Sequence, residues 1–244
     1  MRFVAALAFL TLTAGAASAA DVPSYVAAAI ADPSRPKDDV SHDVLRDPAE
    51  TLVFAGVTPG MKVAELAPEG GYYTRLLIDV VGPTGAVWSV ENAGWKDDVA
   101  ADQKVGGELK RANLTLDAET WGQLTLPGRA DMVWTTQNYH DLHIEKYGHV
   151  DMAAFNRAVF AALKPGGVYF ILDHAAKPGT TADEIAQLHR IPKAQVIAEV
   201  EAAGFKLAGE GNFLDRPADD LAKPVFDPAI RGRTSQFALK FVRP

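Results

Sequence analysis

Short apolar runs that stop at acids or amides, separated by segments of helical spacing, constrain this chain more than any other feature. The runs are Lys62 to Leu66, Ala86 to Val90, Asn113 to Leu116, Asp131 to Thr135, Val168 to Leu172, Phe205 to Ala208 and Gln236 to Val242. Helical patterns lie between the early ones, at Tyr72 to Val80, Asp97 to Arg111 and Met152 to Leu163. Strands that alternate with helices predict an α/β fold, with a mostly parallel sheet covered by helices on both faces. The last two runs lack a clear helix between them, so one of that pair is expected to be antiparallel.

Local signals set the boundaries. Asp47-Pro48-Ala49-Glu50 is a helix start, with an N-cap acid and proline at the first helical position, and Gly56 closes that helix. Thr181 to Glu184 is a second capping box, and a further helix runs from Pro192 to Ala203. Lys164-Pro165-Gly166-Gly167 ends a helix and turns into a strand. Residues 21–45 contain one short helix, Tyr25 to Ile30, which Pro33 and Pro36 break, and then the polar stretch Lys37 to Asp43. They are read as an arm lying over a domain of residues 46–244.

Residues 1–20 read as a cleaved signal peptide. Arg2 precedes the apolar run Phe3 to Leu12, and the small residues of Ala14 to Ala20 offer a cleavage site. The expectation is a periplasmic or secreted protein with no stable membrane insertion after cleavage. A net charge of -7 argues against non-specific nucleic-acid binding, which needs a basic face. With no cysteine, disulfides and a thiol nucleophile are excluded.

Ligands of parallel α/β sheets bind beyond the carboxyl ends of the strands, where the strand order reverses. Here Glu65 precedes the tight turn Glu69-Gly70-Gly71, which lets backbone approach a ligand at a helix start. Glu91 follows the second strand, where an acid can accept from a ribose diol. Asp117 follows the third and could accept from an adenine amino group. Asn138, Tyr139, His140 and Asp141 follow the fourth, beside the place of a reacting group.

Together, Glu65 to Tyr73, Glu91, the Asp131-to-Asp141 segment and Leu163 to Gly167 resemble class I S-adenosylmethionine-dependent methyltransferases. The likeness is to a bacterial group that carries a signal peptide, and it covers residues 45–244. It implies a Rossmann-like seven-stranded sheet with an antiparallel C-terminal strand. It also implies that S-adenosylmethionine lies over the first loop, held by Glu65, Ala67, Gly70, Gly71, Tyr72, Glu91, Asp117 and Asn138. The family's loop reads acid-x-Gly-x-Gly-x-Gly. In this chain Ala67 and Glu69 replace the first two glycines. Glu69 adds a carboxylate that would repel the cofactor's own and sit more easily beside its sulfonium.

His140 is the candidate general base for a methyl acceptor that the sequence does not name, with Asp141 orienting it. His140 and His143 have no diagnostic metal spacing, and Asp173-His174 could join them only across the top of the sheet, so no metal is assigned. His189-Arg190 reads equally as a surface pair, and Tyr72, Tyr73 and Tyr139 equally as pocket lining or packing. Two alternatives stay open: a non-catalytic periplasmic small-molecule-binding protein on a methyltransferase scaffold, and a metal-dependent hydrolase using the histidines.

Overall fold

The apolar runs assemble into one sheet in the computed structural model, which describes residues 22–148 and 150–244. The signal-peptide expectation for residues 1–20, and His149, lie outside the described residues. The strands are β1 (Lys62–Leu66), β2 (Ala86–Asn92), β3 (Leu114–Glu119), β4 (Ala130–Thr136), β5 (Leu163–His174), β6 (Lys206–Gly211) and β7 (Gln236–Val242). Their order is β3-β2-β1-β4-β5-β7-β6. All pairings among β1 to β5 are parallel, and β7 is antiparallel to both β5 and β6. The expected antiparallel strand is therefore the C-terminal one.

Eight α-helices flank the sheet among the described residues: α1 (Ser24–Ile30), α2 (Lys37–Arg46), α3 (Pro48–Ala55), α4 (Tyr72–Val81), α5 (Lys96–Leu109), α6 (Met152–Ala162), α7 (Ala182–Leu188) and α8 (Lys193–Ala202). None of them is long and apolar enough to cross a membrane. The steps from β1 to β2 to β3 run one way, and the step to β4 reverses. Right-handed crossovers then put α4 and α5 on one face and α6 on the other.

Two apolar clusters follow from this division. One gathers Val63, Leu76, Leu77, Met132, Trp134 and Phe170 beneath α1, α3 and α4. The other gathers Leu66, Val133, Phe155, Ile171, Val196 and Phe241 beneath α6, α7 and α8. Leu76 and Leu77 are fully buried, each stabilising the fold by about 1.5–3 kcal/mol. Alternate residues of the central strands feed opposite clusters, which explains why those strands read as continuous apolar runs.

Helix caps form as the sequence predicts. The Asp47 side chain accepts from Glu50 N, and Gly56 closes α3 in the left-handed region. Thr181 and Glu184 form a reciprocal capping box on α7.

Three elements differ most from expectation. β5 starts at Leu163, so Lys164 to Gly167 lie within the strand rather than in a turn before it. The polar stretch from Lys37 is a helix, α2, that buries no residue. Polar ties hold it instead: Asp43 accepts from Arg35 at 2.7 Å and from the Tyr72 hydroxyl at 2.6 Å, and Asp39 accepts from Arg75 at 3.0 Å. A helix held this way has no apolar period to read. β3 also runs past its expected end, so Asp117 lies within a strand, paired in register with Val90.

Candidate functional site

The reversal point lies between β1 and β4, and the loop leaving β1 fills it. Ala67, Glu69 and Gly71 have φ of 51°, 52° and 72°. The loop thus takes left-handed conformations at the three alternate positions where the family pattern has glycine, although two of them carry side chains. At Gly71 a Cβ would stand 2.6 Å from Val105 Cγ1, so α5 packs directly on this turn. The loop is fixed from both sides. Ala67 N donates to Val90 O at 3.0 Å, and Asn138 Nδ2 donates to Ala67 O at 2.7 Å. Asn138 therefore positions the loop rather than lining the open cleft.

Beneath the loop two acids are buried, Glu65 at 2% exposure and Glu91 at 0%. Burial pushes both carboxyls up to about 8, and Asp102 adds repulsion to each. Asn92 N donates to Glu91 Oε1 at 2.8 Å, which opposes the rise. Glu65 Oε2 and Glu91 Oε2 have no hydrogen-bond partner among the described residues. A buried carboxyl oxygen without a partner is costly, and a ligand that donates hydrogen bonds removes that cost.

A cleft of about 530 Å³ opens over the ends of β1, β2 and β4. Its wall carries four acids, Glu69, Asp97, Asp98 and Asp141, against a single lysine, Lys96. Trp95, Tyr147, His189 and Phe226 give it aromatic surface. The combination suits a flat ligand bearing positive charge. The Glu69 side chain is exposed, yet its carboxyl is pushed up to about 7. Poor hydration inside the concave wall comes first, and repulsion from Asp141 and Asp98 adds to it.

Several expected site residues lie elsewhere. Asp117 lines a separate cavity with Asp102 and Gln103, and its carboxylate accepts from Ala118 N at 2.8 Å. Tyr72 turns away from the cleft: its hydroxyl goes to Asp43 and its ring lies 4.5 Å under the Arg46 guanidinium. Tyr73 packs on Trp134, and Tyr139 is fully buried with its hydroxyl donating to Glu199 at 2.9 Å. Gly70 has open space around it, and its carbonyl accepts from Arg75 at 2.9 Å.

The expected order of His140 and Asp141 is reversed. His140 is 2% exposed and lies behind the wall, whereas Asp141 lines the cleft. Asp173 holds His140 at two points, accepting from its backbone N at 2.8 Å and meeting Nδ1 at 2.7 Å. Burial works against an imidazolium here, but Asp173 and Asp141 together push His140 up to about 10. Enclosed behind the wall, the His140 ring does not line the cleft where an acceptor would lie. Burial likewise opposes the Asp141 carboxylate, but His140 and His189 hold it down at about 2.

The histidines gather only in part as the sequence allowed: Asp173 and His174 do stand beside His140, with the His140 and His174 rings 5.8 Å apart, whereas His143 turns away. His143 Nε2 lies 3.0 Å from Glu199, and His174 Nδ1 lies 2.9 Å from Thr234 Oγ1. His189 instead joins His140 and Asp141. It caps α7 at φ 51°, and no local pattern marked it as a site residue. Its neighbour Arg190 is not on the surface but fully buried.

No family model matches the chain. A curated relative is the ubiquinone/menaquinone biosynthesis C-methyltransferase UbiE of Burkholderia vietnamiensis, 29% identical over 128 residues, or 51% of this chain and 48% of the relative. The chain thus spans about half the length of the curated relative it matches. Among solved structures, an S-adenosylmethionine-dependent methyltransferase from Aquifex aeolicus superposes with a TM-score of 0.59 at 16% identity, over 86% of this chain and all of that one. The [4+2]-cyclase SpnF superposes with a TM-score of 0.58 at 16% identity, over 84% of this chain and 80% of that one. These likenesses, with the strand order, establish the Rossmann-like methyltransferase fold.

Proposed function

We propose that this chain is an S-adenosylmethionine-dependent methyltransferase. The observation that carries the reading is the loop after β1: three left-handed residues at alternate positions lead into α4 below an acid-lined cleft. The methyltransferase name of the curated relative supports it. The targeting pattern of residues 1–20 supports export as part of the same reading.

The residues present fit the cofactor. The unpartnered Glu91 Oε2 offers an acceptor for ribose hydroxyls at the end of β2. The loop backbone and the start of α4 would receive the amino-acid end, and Asp97, Asp98 and Asp141 would face positive charge. Glu69, pushed toward neutrality, loses part of its repulsion for the cofactor's carboxylate. When bound, S-adenosylmethionine supplies a methyl carbon activated by a sulfonium. The protein's own part is to hold the acceptor in line and to exclude water. A smaller cavity of about 150 Å³, lined by His42, Arg46, Arg231 and Gln236, shares Phe226 with the cleft.

Calorimetric titration with S-adenosylmethionine tests the reading. One site per chain is expected, and Glu91→Ala, which removes the acceptor, should weaken binding by about 1–3 kcal/mol. Absence of binding to the folded protein would overturn the proposal. Binding without transfer of a labelled methyl group to cell extracts would instead favour a non-catalytic binding protein, since fold alone does not fix activity.

A further inference from the structure

Asp141 Oδ1 is buried and accepts no hydrogen bond among the described residues, although two ring nitrogens stand close to it. His140 Nε2 is 3.3 Å away and His189 Nδ1 is 3.2 Å away. All three atoms lie within 4.8 Å of one another. The nitrogens are near enough for ion pairing but do not point along hydrogen-bond directions. The three groups are therefore close together without satisfying one another. Nitrogen and oxygen ligands about 2.0–2.2 Å from one ion at tetrahedral or octahedral angles are separated by about 2.8–3.6 Å, and both measured separations fall in that range.

We propose that His140 Nε2, Asp141 Oδ1 and His189 Nδ1 form a site for one divalent transition-metal ion, with its remaining coordination positions open to the cleft. Two imidazoles and one carboxylate suit zinc or ferrous iron, and leave room for water or an oxygen of the acceptor. The surroundings support the assignment. The far nitrogen of His140, Nδ1, is held by Asp173 at 2.7 Å, the carboxylate–histidine contact that fixes the orientation and tautomer of a metal-binding ring. Asp173 is itself fully buried and braced by the amides of His140 and His174 at 2.8 Å and 2.6 Å. On the other side, the His189 ring is flanked by Phe226 at 4.8 Å and Tyr147 at 5.9 Å. Asp141 and His189 both line the cleft, so an ion at this point meets the solvent-filled space directly.

Metal binding is separable from the methyl-donor reading because it is measured without the donor. The full chain, made without a polyhistidine tag and stripped with a chelator, is titrated with Zn²⁺ by calorimetry and with Co²⁺ by visible absorption. The expected result is one ion per chain, with a Co²⁺ spectrum of low coordination number. His189→Asn and Asp141→Asn should each weaken Zn²⁺ binding at least about tenfold. Asparagine tolerates the left-handed backbone at position 189 and is nearly isosteric at 141, and thermal melting checks that both variants fold. His143→Gln, which removes a ring paired with Glu199, should leave Zn²⁺ affinity unchanged. No stoichiometric ion on the wild-type protein, or affinity equal to wild type in both folded ligand variants, overturns the site; the latter result would mean an adventitious ion only.

Discussion

Arg190 and Asp219 form a two-pronged ion pair in which neither side chain is exposed, with nitrogen–oxygen distances of 2.8 Å and 2.9 Å. The remaining groups are also engaged. Arg190 Nε donates to Lys223 O at 3.0 Å, and Ser235 N donates to Asp219 Oδ2 at 2.7 Å. The pair thereby fastens the long segment between β6 and β7 to the end of α7, one residue from His189. Removing one partner leaves a buried charge without compensation, so Asp219→Ala is expected to lower stability by about 3–5 kcal/mol. Urea unfolding measures this directly. A midpoint unchanged from wild type would show that the segment opens and hydrates Arg190 at little cost.

The strands of this fold were legible because burial on both faces leaves continuous apolar runs, as in Met132-Val133-Trp134. Helix α2 was not, because hydrogen bonds from Arg35, Tyr72 and Arg75 hold it and those partners are distant in sequence. The end of β3 was obscured for a related reason: it is an edge strand whose residues are nowhere fully buried. The places of Glu65 and Glu91 at the carboxyl ends of β1 and β2, and of the turn after β1, were readable from the strand pattern. The loop's conformation was not, since Ala67 and Glu69 hide a glycine-like backbone behind ordinary side chains. The exchange of roles between His140 and Asp141 was also hidden, because it depends on Asp173, which is 33 residues away. Only the assembled sheet brings that carboxylate behind the ring.

The loop makes a contrasting pair of expectations. Gly71→Ala puts a methyl group 2.6 Å from Val105 Cγ1 at a φ of +72°, and should cost about 2–4 kcal/mol from left-handed strain plus overpacking. Glu69→Gly removes a side chain from a left-handed position, worth about 1–2 kcal/mol, while glycine's extra chain entropy costs about 0.5–1 kcal/mol. The second variant should therefore be as stable as wild type or slightly more so. Thermal unfolding of the two side by side is the check. If Gly71→Ala melts with wild type, or Glu69→Gly melts well below it, the left-handed loop is not the working conformation.

Glu65 and Glu91 should give the protein an unusual pH dependence. Each carboxyl moves from an ordinary 4.5 up to about 8, because burial disfavours its charged form. Between those values the folded protein holds protons that the unfolded chain has released. The stability they contribute is complete below about pH 4.5 and is lost as the pH rises to about 8. The diagnostic quantity is therefore the difference between wild type and the Glu65→Gln/Glu91→Gln variant, whose amides cannot ionise. Urea unfolding from about pH 5 to about pH 9 should show wild type losing stability with a clearly steeper slope than the double variant. Parallel slopes would mean that both acids reach solvent and ionise normally, and Glu91 would then lose the unpartnered buried oxygen on which its proposed ribose contact depends.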